Sequence, residues 1–278
     1  MTQKKIFTPI FFVLSIIFAA LVIFIMLMPY LWMFMNTFKK TQELLRNPTR
    51  ILPINWTMAN YATVFRKTPF FFWLRNSVII TVSNTIIILF SSSITGFVFA
   101  KYKFPGRNFL FWVILASMMV PFQTTMIPNF LIVNQLGLYN TLLALIIPAI
   151  VSGFGIFLCR QFCEGVPDSL WEAALIDGAS DFSIYVNVMI PLLRPCLAAL
   201  AIFTFLGSWN DYVGPLIMLE SVKNMTLPIA LSYFTSGAHS VDVGACMAAA
   251  GLIMLPSTIV FLFFQKHFIK GAAISGIK

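Results

Sequence analysis

Long runs of apolar residues alternate with short polar segments along the whole chain. A helix needs about 20 apolar residues to cross the hydrocarbon core of a membrane. The runs that reach this length cover residues 10–35, 70–100, 109–133, 141–162, 192–219 and 243–264. This pattern predicts an all-α polytopic membrane protein with six transmembrane helices. The first helix is expected to be retained, because its run is too long for a signal peptide.

Composition also indicates a membrane protein, and it favours one domain. Of the 278 residues, 59% are hydrophobic and 10% are charged, a balance that would expose apolar surface to water in a soluble protein. Because no long polar block interrupts the chain, we expect residues 1–278 to form a single domain. The net charge of +9 is spread over short segments, which favours contact with membrane lipid and no nucleic-acid partner. The cysteines lack C-x-x-C spacing and are predicted to be free thiols.

Positive charge in the short loops predicts the orientation, because lysine and arginine are retained on the cytoplasmic side. Lys101, Lys103 and Arg107 surround the end of the second run, whereas residues 135–140 in the next loop carry no charge. The tail after the last run adds Lys266, Lys270 and Lys278. We therefore expect a bacterial inner-membrane protein with both termini in the cytoplasm. The loop at residues 37–69 contradicts this orientation, because it would lie outside although it holds six basic residues.

Five of the nine acidic residues lie between the fourth and fifth runs: Glu164, Asp168, Glu172, Asp177 and Asp181. Ser169 and Glu172 have the spacing of a capping box, and Gly178 offers a left-handed stop. We predict a short helix over residues 170–177, followed by a second helical segment capped by Ser180. The apolar surface of the short helix suits either a groove of another protein or the membrane surface beside its own bundle.

The same segment carries the string EAALIDGA at residues 172–179, followed by IP at 190–191 and LLRP at 192–195. This pattern resembles the EAA motif of binding-protein-dependent ABC import permeases. Further strings are similar to the carbohydrate-import branch of that family, at residues 103–107 (KFPGR), 209–211 (WND), 226–228 (TLP) and 247–271. The resemblance to the MalG-type second permease of maltose systems therefore spans nearly the whole chain. Ile190, where leucine is commoner, is a conservative departure.

The resemblance implies a non-catalytic transmembrane subunit with its core at residues 70–270 and no cofactor of its own. Its partners would be a second homologous permease, two ATPase subunits that bind ATP and Mg, an extracytoplasmic solute-binding protein and a sugar substrate. In that family the EAA helix is the coupling helix, which seats in a cleft of the ATPase. The resemblance assigns this role to Glu172, Ala173, Ala174, Asp177 and Gly178.

Polar residues toward the outer end of the fifth run suggest a substrate pathway. Trp209, Asn210 and Asp211 would lie roughly 12 Å, or about two turns, from that end. There the indole could stack on a sugar ring while the amide and carboxylate bind hydroxyl groups. Alternatively, Asn210 and Asp211 tie helices together or contact the partner permease. Gln123 and Asn129, beside prolines of the third run, are weaker candidates for the same pathway.

Several other functions are disfavoured by the sequence. No G-x-x-x-x-G-K-[ST] phosphate loop occurs, so the chain is not expected to bind or hydrolyse ATP itself. We find no metal site and no catalytic constellation for a membrane enzyme. The alternative function is an ion-coupled secondary transporter, which would need intramembrane carboxylates, yet the first four runs contain no Asp or Glu. Among sugars, we expect an oligosaccharide.

Overall fold

The computed structural model describes the backbone of residues 7–235 and 242–275 and the side chains of residues 11–235 and 242–264. All regular secondary structure in these residues is helical. The α-helices are α1 (Phe7–Asn36), α2 (Thr41–Arg46), α3 (Ala59–Lys67), α4 (Phe70–Lys101), α5 (Arg107–Met118), α6 (Phe122–Gln135), α7 (Leu143–Ile146), α8 (Gly153–Glu164), α9 (Asp168–Ile176), α10 (Asp181–Ile184), α11 (Ile190–Leu192), α12 (Arg194–Trp209), α13 (Val213–Met218), α14 (Leu227–Ala230), α15 (Ser232–Thr235) and α16 (Val243–Ser275). A 3-10 turn at Pro148–Ile150 precedes α8, and a π-helical stretch at Tyr185–Met189 joins α10 to α11. The side chains of the tail lysines at 266, 270 and 278 lie outside the described residues.

Four helical segments are long and apolar enough to cross a membrane: Phe11–Asn36, Phe70–Lys101, Leu143–Glu164 and Val243–Phe264. Two further candidates are bent pairs, Arg107–Met118 with Phe122–Gln135 at 102° and Asp181–Leu192 with Arg194–Trp209 at 78°. Among the described residues the count is therefore four, or six if each bent pair is one span. The third predicted run divides before Pro121, which has no N–H with which to continue the helix.

The chain divides into two compact units. The first comprises Met1–Thr68 and Leu231–Met254, and the second comprises Pro69–Ala230 and Leu255–Lys278. Helices α1 to α3 belong to the first unit and helices α4 to α14 to the second. The four cysteines, three of them buried in the second unit, are free thiols, as the sequence predicts.

In the first unit, the basic loop before α4 is an ordered structure. Asn60, buried in α3, donates from Nδ2 to the carbonyl oxygens of Thr37 and Lys39, at 2.7 Å in each case. Thr41 Oγ1 donates to Asp242 Oδ1 at 2.7 Å. These bonds hold the loop against the residues that follow α1 and the start of α16. Lys39 is buried in this packed structure and donates to the carbonyl oxygen of Arg50.

In the second unit, α4 is the central helix and packs mainly against α8 and α12. The backbones of α4 and α8 approach closely at Gly96, where an added Cβ would lie 2.6 Å from Cys159 Cβ and 2.7 Å from Arg160 N. At Gly155 of α8, an added Cβ would collide with Ser92 Oγ of α4. Small residues at these positions permit the close packing that stabilises helices in lipid.

The start of α4 is tied to the loop that follows α13. Trp73 Nε1 donates to the carbonyl oxygen of Val222 at 2.6 Å, and Asn76 Nδ2 donates to that of Lys223 at 2.8 Å. The N–H of Leu227 donates to Ser77 Oγ at 2.8 Å. These bonds satisfy backbone groups that would otherwise lack partners, and they fix the loop beside α4.

We expect Gly96→Ala to destabilise the pair formed by α4 and α8, because the new methyl group would force two backbones apart. Overpacking of this kind costs about 1–3 kcal/mol. The apparent melting temperature of the detergent-solubilised protein should therefore fall by several degrees. Gly207→Ala in α12 is the matched control, since a Cβ there meets nothing within 4 Å. Equal melting temperatures for the two variants would contradict the close approach.

Candidate functional site

The acidic segment forms α9, which begins at Asp168 directly after Pro167. No described side chain caps its first turn, so the predicted capping box of Ser169 and Glu172 is wrong. The physical reason is that Pro167, with its fixed φ and missing N–H, already occupies the position before the first turn. Ser169 therefore lies inside the helix, where its hydroxyl is no longer at the capping position.

The C-terminal end of α9 has the left-handed stop that the sequence predicts. Gly178 has a φ of 78°, and its N–H donates to the carbonyl oxygen of Leu175 at 3.0 Å. The N–H of Ala179 donates to that of Ala174, also at 3.0 Å, which completes a Schellman motif. Ser180 Oγ then accepts a backbone N–H of α10 at 3.3 Å, as predicted. These caps fix the direction in which the chain leaves α9.

A buried lysine ties α9 to the end of α4. Lys101 Nζ donates to Asp168 Oδ1 and to the carbonyl oxygen of Val166, at 2.6 Å in each case. The side chain of Lys101 is only 3% exposed, whereas that of Asp168 is 70% exposed. The hydrogen bond and positive charge of Lys101 hold the pKa of Asp168 below its ordinary value. Because a buried ammonium needs acceptors, these contacts hold the first residue of α9 beside the end of α4.

Aromatic and small side chains pack the inner face of α9 onto the same end of α4. The ring centroids of Trp171 and Tyr102 are 5.4 Å apart, and those of Tyr102 and Phe97 are 5.5 Å apart. Trp171 and Ala174 both pack against the buried cluster that includes Phe97. Ala174 therefore faces the core of this chain, whereas its neighbour Ala173 is exposed.

Three large apolar side chains of α9 are exposed. Ile176 is 86% exposed, and Leu170 and Leu175 are exposed as well. Phe182, in the next helix, is also exposed. The remaining predicted coupling residues are also exposed: Glu172, Asp177 and Gly178. An apolar surface on a helix that its own chain holds in place is suited to a groove on another protein.

The second candidate region lies where the fifth predicted run is interrupted. The run is not one continuous helix, because α12 ends at Trp209 and α13 starts only after residue 212. Asn210 Nδ2 donates to the carbonyl oxygen of Leu206 at 2.9 Å, and Asp211 Oδ1 accepts the N–H of Gly214 at 3.1 Å. Both side chains bind the backbone at the break, which is how Asn and Asp compete with helical hydrogen bonding.

Trp209 and the nearby Asp211 lie in different environments. The indole is 2% exposed and stacks on Phe205, with centroids 5.8 Å apart and an interplanar angle of 5°. It therefore packs inside the protein. Asp211, by contrast, lines a cavity.

This cavity lies within the second unit and has a volume of about 360 Å³. The polar residues that line it are Ser77, Asn84, Ser152, Thr204, Ser208, Asp211 and Thr226. Phe154 and Phe203 also line it, with ring centroids 5.9 Å apart in an edge-to-face arrangement. Hydroxyl, amide and carboxylate groups beside aromatic rings are typical of sites for polar organic ligands.

The predicted pathway residues of the third run lie elsewhere. Gln123 and Asn129 belong to α6, where Gln123 is exposed and Asn129 is half-buried. Neither lines the cavity, and Asn210 does not line it either. Of the five pathway residues, only Asp211 lines it.

Lys101 and Asn84 are not among the residues that the sequence predicts for either site. In the sequence, Lys101 is indistinguishable from a loop charge, because its acceptors are more than 60 positions away. Asn84 is one of two amides within residues 70–100. An amide in the middle of an apolar run is expensive in lipid, and this signal could have identified it.

The chain matches known proteins over nearly its whole length. Residues 92–273 match the family described as binding-protein-dependent transport system inner membrane component. The arabinooligosaccharides transport system permease protein AraQ of Halalkalibacterium halodurans is 36% identical over 280 residues, which cover 99% of this chain and 100% of that protein. The diacetylchitobiose uptake system permease protein NgcG of Streptomyces coelicolor is 34% identical over 255 residues, which cover 91% and 84%.

The fold is also found in a solved structure. A chain of a bacterial ABC transporter involved in the import of the acidic polysaccharide alginate superposes with a TM-score of 0.81. The match covers 93% of this chain and 96% of that chain, at 24% identity. At this identity the similarity establishes the fold.

We expect Asp168→Asn to loosen α9, because the buried Lys101 ammonium would lose its charged acceptor. The backbone amides of α9 should then exchange with deuterium several-fold faster than in the wild type at pH 7. Asp177→Asn is the matched control, since Asp177 is an exposed acid at the other end of α9. Equal exchange in the two variants would show that the ion pair does not hold the helix.

The same contact predicts a pH dependence. Because the pKa of Asp168 is lowered, the attraction is complete above the ordinary aspartate pKa of about 4 and is lost as the pH falls through the lowered value. The protection of α9, corrected for intrinsic exchange rates, should therefore decrease below about pH 4. Asp168→Asn should remove this dependence, and its persistence in the variant would assign it to another group.

Proposed function

Because the chain belongs to the family of binding-protein-dependent transport system inner membrane components, we propose that it is the permease subunit of an ATP-driven importer of oligosaccharides. Relatives named for arabinooligosaccharide transport and diacetylchitobiose uptake support this substrate class. The chain forms half of the translocation pathway and does no covalent chemistry. Energy comes from ATP and Mg bound by separate ATPase subunits.

The proposed assembly contains a second homologous permease, two ATPase subunits and an extracytoplasmic solute-binding protein. Residues 1–278 form one membrane domain, with its core at residues 70–270 and both termini in the cytoplasm. The charges of Lys103 and Arg107 in a short loop support this orientation. It places α9 on the cytoplasmic side, where the ATPase subunits lie.

The observation that carries the coupling proposal is the exposure of two apolar side chains at the end of α9, Leu175 and Ile176. Ile176 and Leu175 would enter a groove of the ATPase, with Glu172 and Asp177 at its polar rim. Ala173 permits close approach, and Gly178 permits the turn after the helix. Ala174 contributes from the inner side, where it packs α9 onto its own chain.

The ion pair gives this contact a mechanical consequence. When ATP binding closes the ATPase pair, a displacement of α9 is transmitted to α4, because Lys101 and the contact between Tyr102 and Trp171 join the two helices. Asn84, in the cavity, lies on the same helix, roughly 25 Å from Lys101. Movement of α4 as a near-rigid body would thus change access to the cavity while ATP is consumed outside the membrane.

The assembly as a whole provides the first test. We expect proteoliposomes that contain both permeases and the ATPase subunits to take up a labelled arabinooligosaccharide or diacetylchitobiose when the binding protein is supplied outside and ATP inside. Uptake should stop when ATP is withheld. Uptake driven by a proton or sodium gradient without ATP would instead favour an ion-coupled secondary transporter, in which Asp211 would carry the ion.

A second test addresses the surface of α9. Ile176→Glu should reduce the amount of ATPase that copurifies with the permease at least several-fold, because a charge would enter an apolar groove. Ile176→Leu is the matched control and should retain the ATPase. Both variants should insert into the membrane normally, since the side chain is exposed. Wild-type recovery of the ATPase with Ile176→Glu would exclude this face as the docking surface.

A further inference from the structure

The cavity lined by Asp211 has features of a ligand site in its own right. It lies beside the break between α12 and α13, and Asn84 reaches it from near the middle of α4. Interrupted helices near the centre of a membrane are where transported solutes bind in many transporter folds. Every residue that lines the cavity belongs to the second unit.

Two buried polar groups of the lining have unused hydrogen-bonding capacity. Asn84 is 7% exposed and Thr226 is 4% exposed, and among the described residues Asn84 Oδ1 and Thr226 Oγ1 have no hydrogen-bond partner. Leaving a buried polar atom unpaired is unfavourable, and in lipid the bilayer cannot supply the missing partner. A polar ligand in the cavity would satisfy such groups after small side-chain rotations.

The amide nitrogen of Asn84, unlike its oxygen, already has partners, and these hold the side chain in place. Its Nδ2 donates to Ser208 Oγ at 3.2 Å and to the carbonyl oxygen of Leu145 at 3.4 Å. Thr226 is held in turn by the loop that Asn76 and Ser77 bind. The polar lining is therefore organised by α4 before any ligand arrives, which lowers the entropic cost of binding.

The volume of the cavity and the chemistry of its lining fit one ring of a sugar. A volume of about 360 Å³ lies at the lower end of the range for small-molecule sites. Phe154 and Phe203 offer aromatic surface to the apolar face of a ring, while Asn84, Asp211 and Thr226 offer acceptors and donors to hydroxyl groups. This role requires no aromatic contribution from the buried Trp209.

We propose that this cavity is a subsite, within this chain, for one ring of the transported oligosaccharide. The inference rests on the proposed function and adds to it that this permease itself contacts the substrate. A metal cation fits the site less well, because a single carboxylate is present among the lining residues and one of its oxygens accepts the N–H of Gly214. A hydroxyl-rich ring can both donate to the carboxylate and accept from neighbouring groups.

The test compares isosteric variants in the complete transporter, reconstituted with both permeases, the ATPase subunits and the binding protein. Thr226→Val and Asn84→Leu should each raise the KM for uptake of diacetylchitobiose or an arabinooligosaccharide roughly tenfold, because each removes a hydrogen-bonding group. Thr81→Val is the matched control. Thr81 is fully buried on α4, and its Oγ1 also lacks a described partner, yet it does not line the cavity.

A cavity-filling variant tests the same site without removing a polar group. Gly207 lines the cavity, and a Cβ there would meet nothing within 4 Å. Gly207→Met should therefore fill the space without displacing the surrounding helices, and it should raise the KM by more than tenfold. Recovery of the intact complex in size-exclusion chromatography shows that each variant has assembled.

The outcomes separate the two proposals. If the wild type shows no ATP-driven uptake of either sugar, the proposed function itself fails. If the wild type transports a sugar and the three cavity variants leave its KM unchanged, the subsite is overturned while the importer assignment stands. The subsite is also overturned if these variants alter a sodium dependence of uptake with no change in the KM for sugar.

Discussion

A buried ammonium group determines how the end of helix α4 is joined to helix α9. Lys101 ends the long apolar helix α4, and its side chain is almost fully removed from solvent. A charge in that position is tolerated only if the protein supplies acceptors, which here are Asp168 and the carbonyl oxygen of Val166. Val166 lies two residues before α9, and Asp168 is the first residue of that helix. The placement of that helix is therefore a direct consequence of neutralising one lysine.

Helix α4 connects the two candidate sites because it contributes a side chain to each of them. Its last turn holds α9 through Lys101, its middle presents Asn84 to the cavity, and its first turns bind the loop that carries Thr226. Polar groups on a helix inside a membrane must be paired within the protein, so each of these side chains binds a different neighbouring segment. A single helix thus organises structure over its whole length.

Local chemistry explains which features the sequence predicts well. Gly178 and Ser180 end one helix and begin the next through bonds to residues within a few positions, and both are recognisable in the sequence. The start of α9 is mispredicted because Pro167 competes with Ser169 for the same position. The break after Trp209 is also missed, because a hydropathy pattern does not reveal that Asn210 and Asp211 bind their own backbone. Long-range partners, such as those of Lys101 and Asn84, depend on the tertiary fold.

The close approach of α4 and α8 limits which parts of the molecule can move. At Gly96 and Gly155 one of the two helices contributes no side chain, so sliding one helix past the other would drive Cys159 or Ser92 into the facing helix. Relative motion is easier to accommodate where the helical geometry is already irregular, as at Tyr185–Met189 and at residues 210–212. In the proposed importer, a small inhibitor lodged at either irregular segment would arrest the conformational cycle without binding to the ATPase subunits.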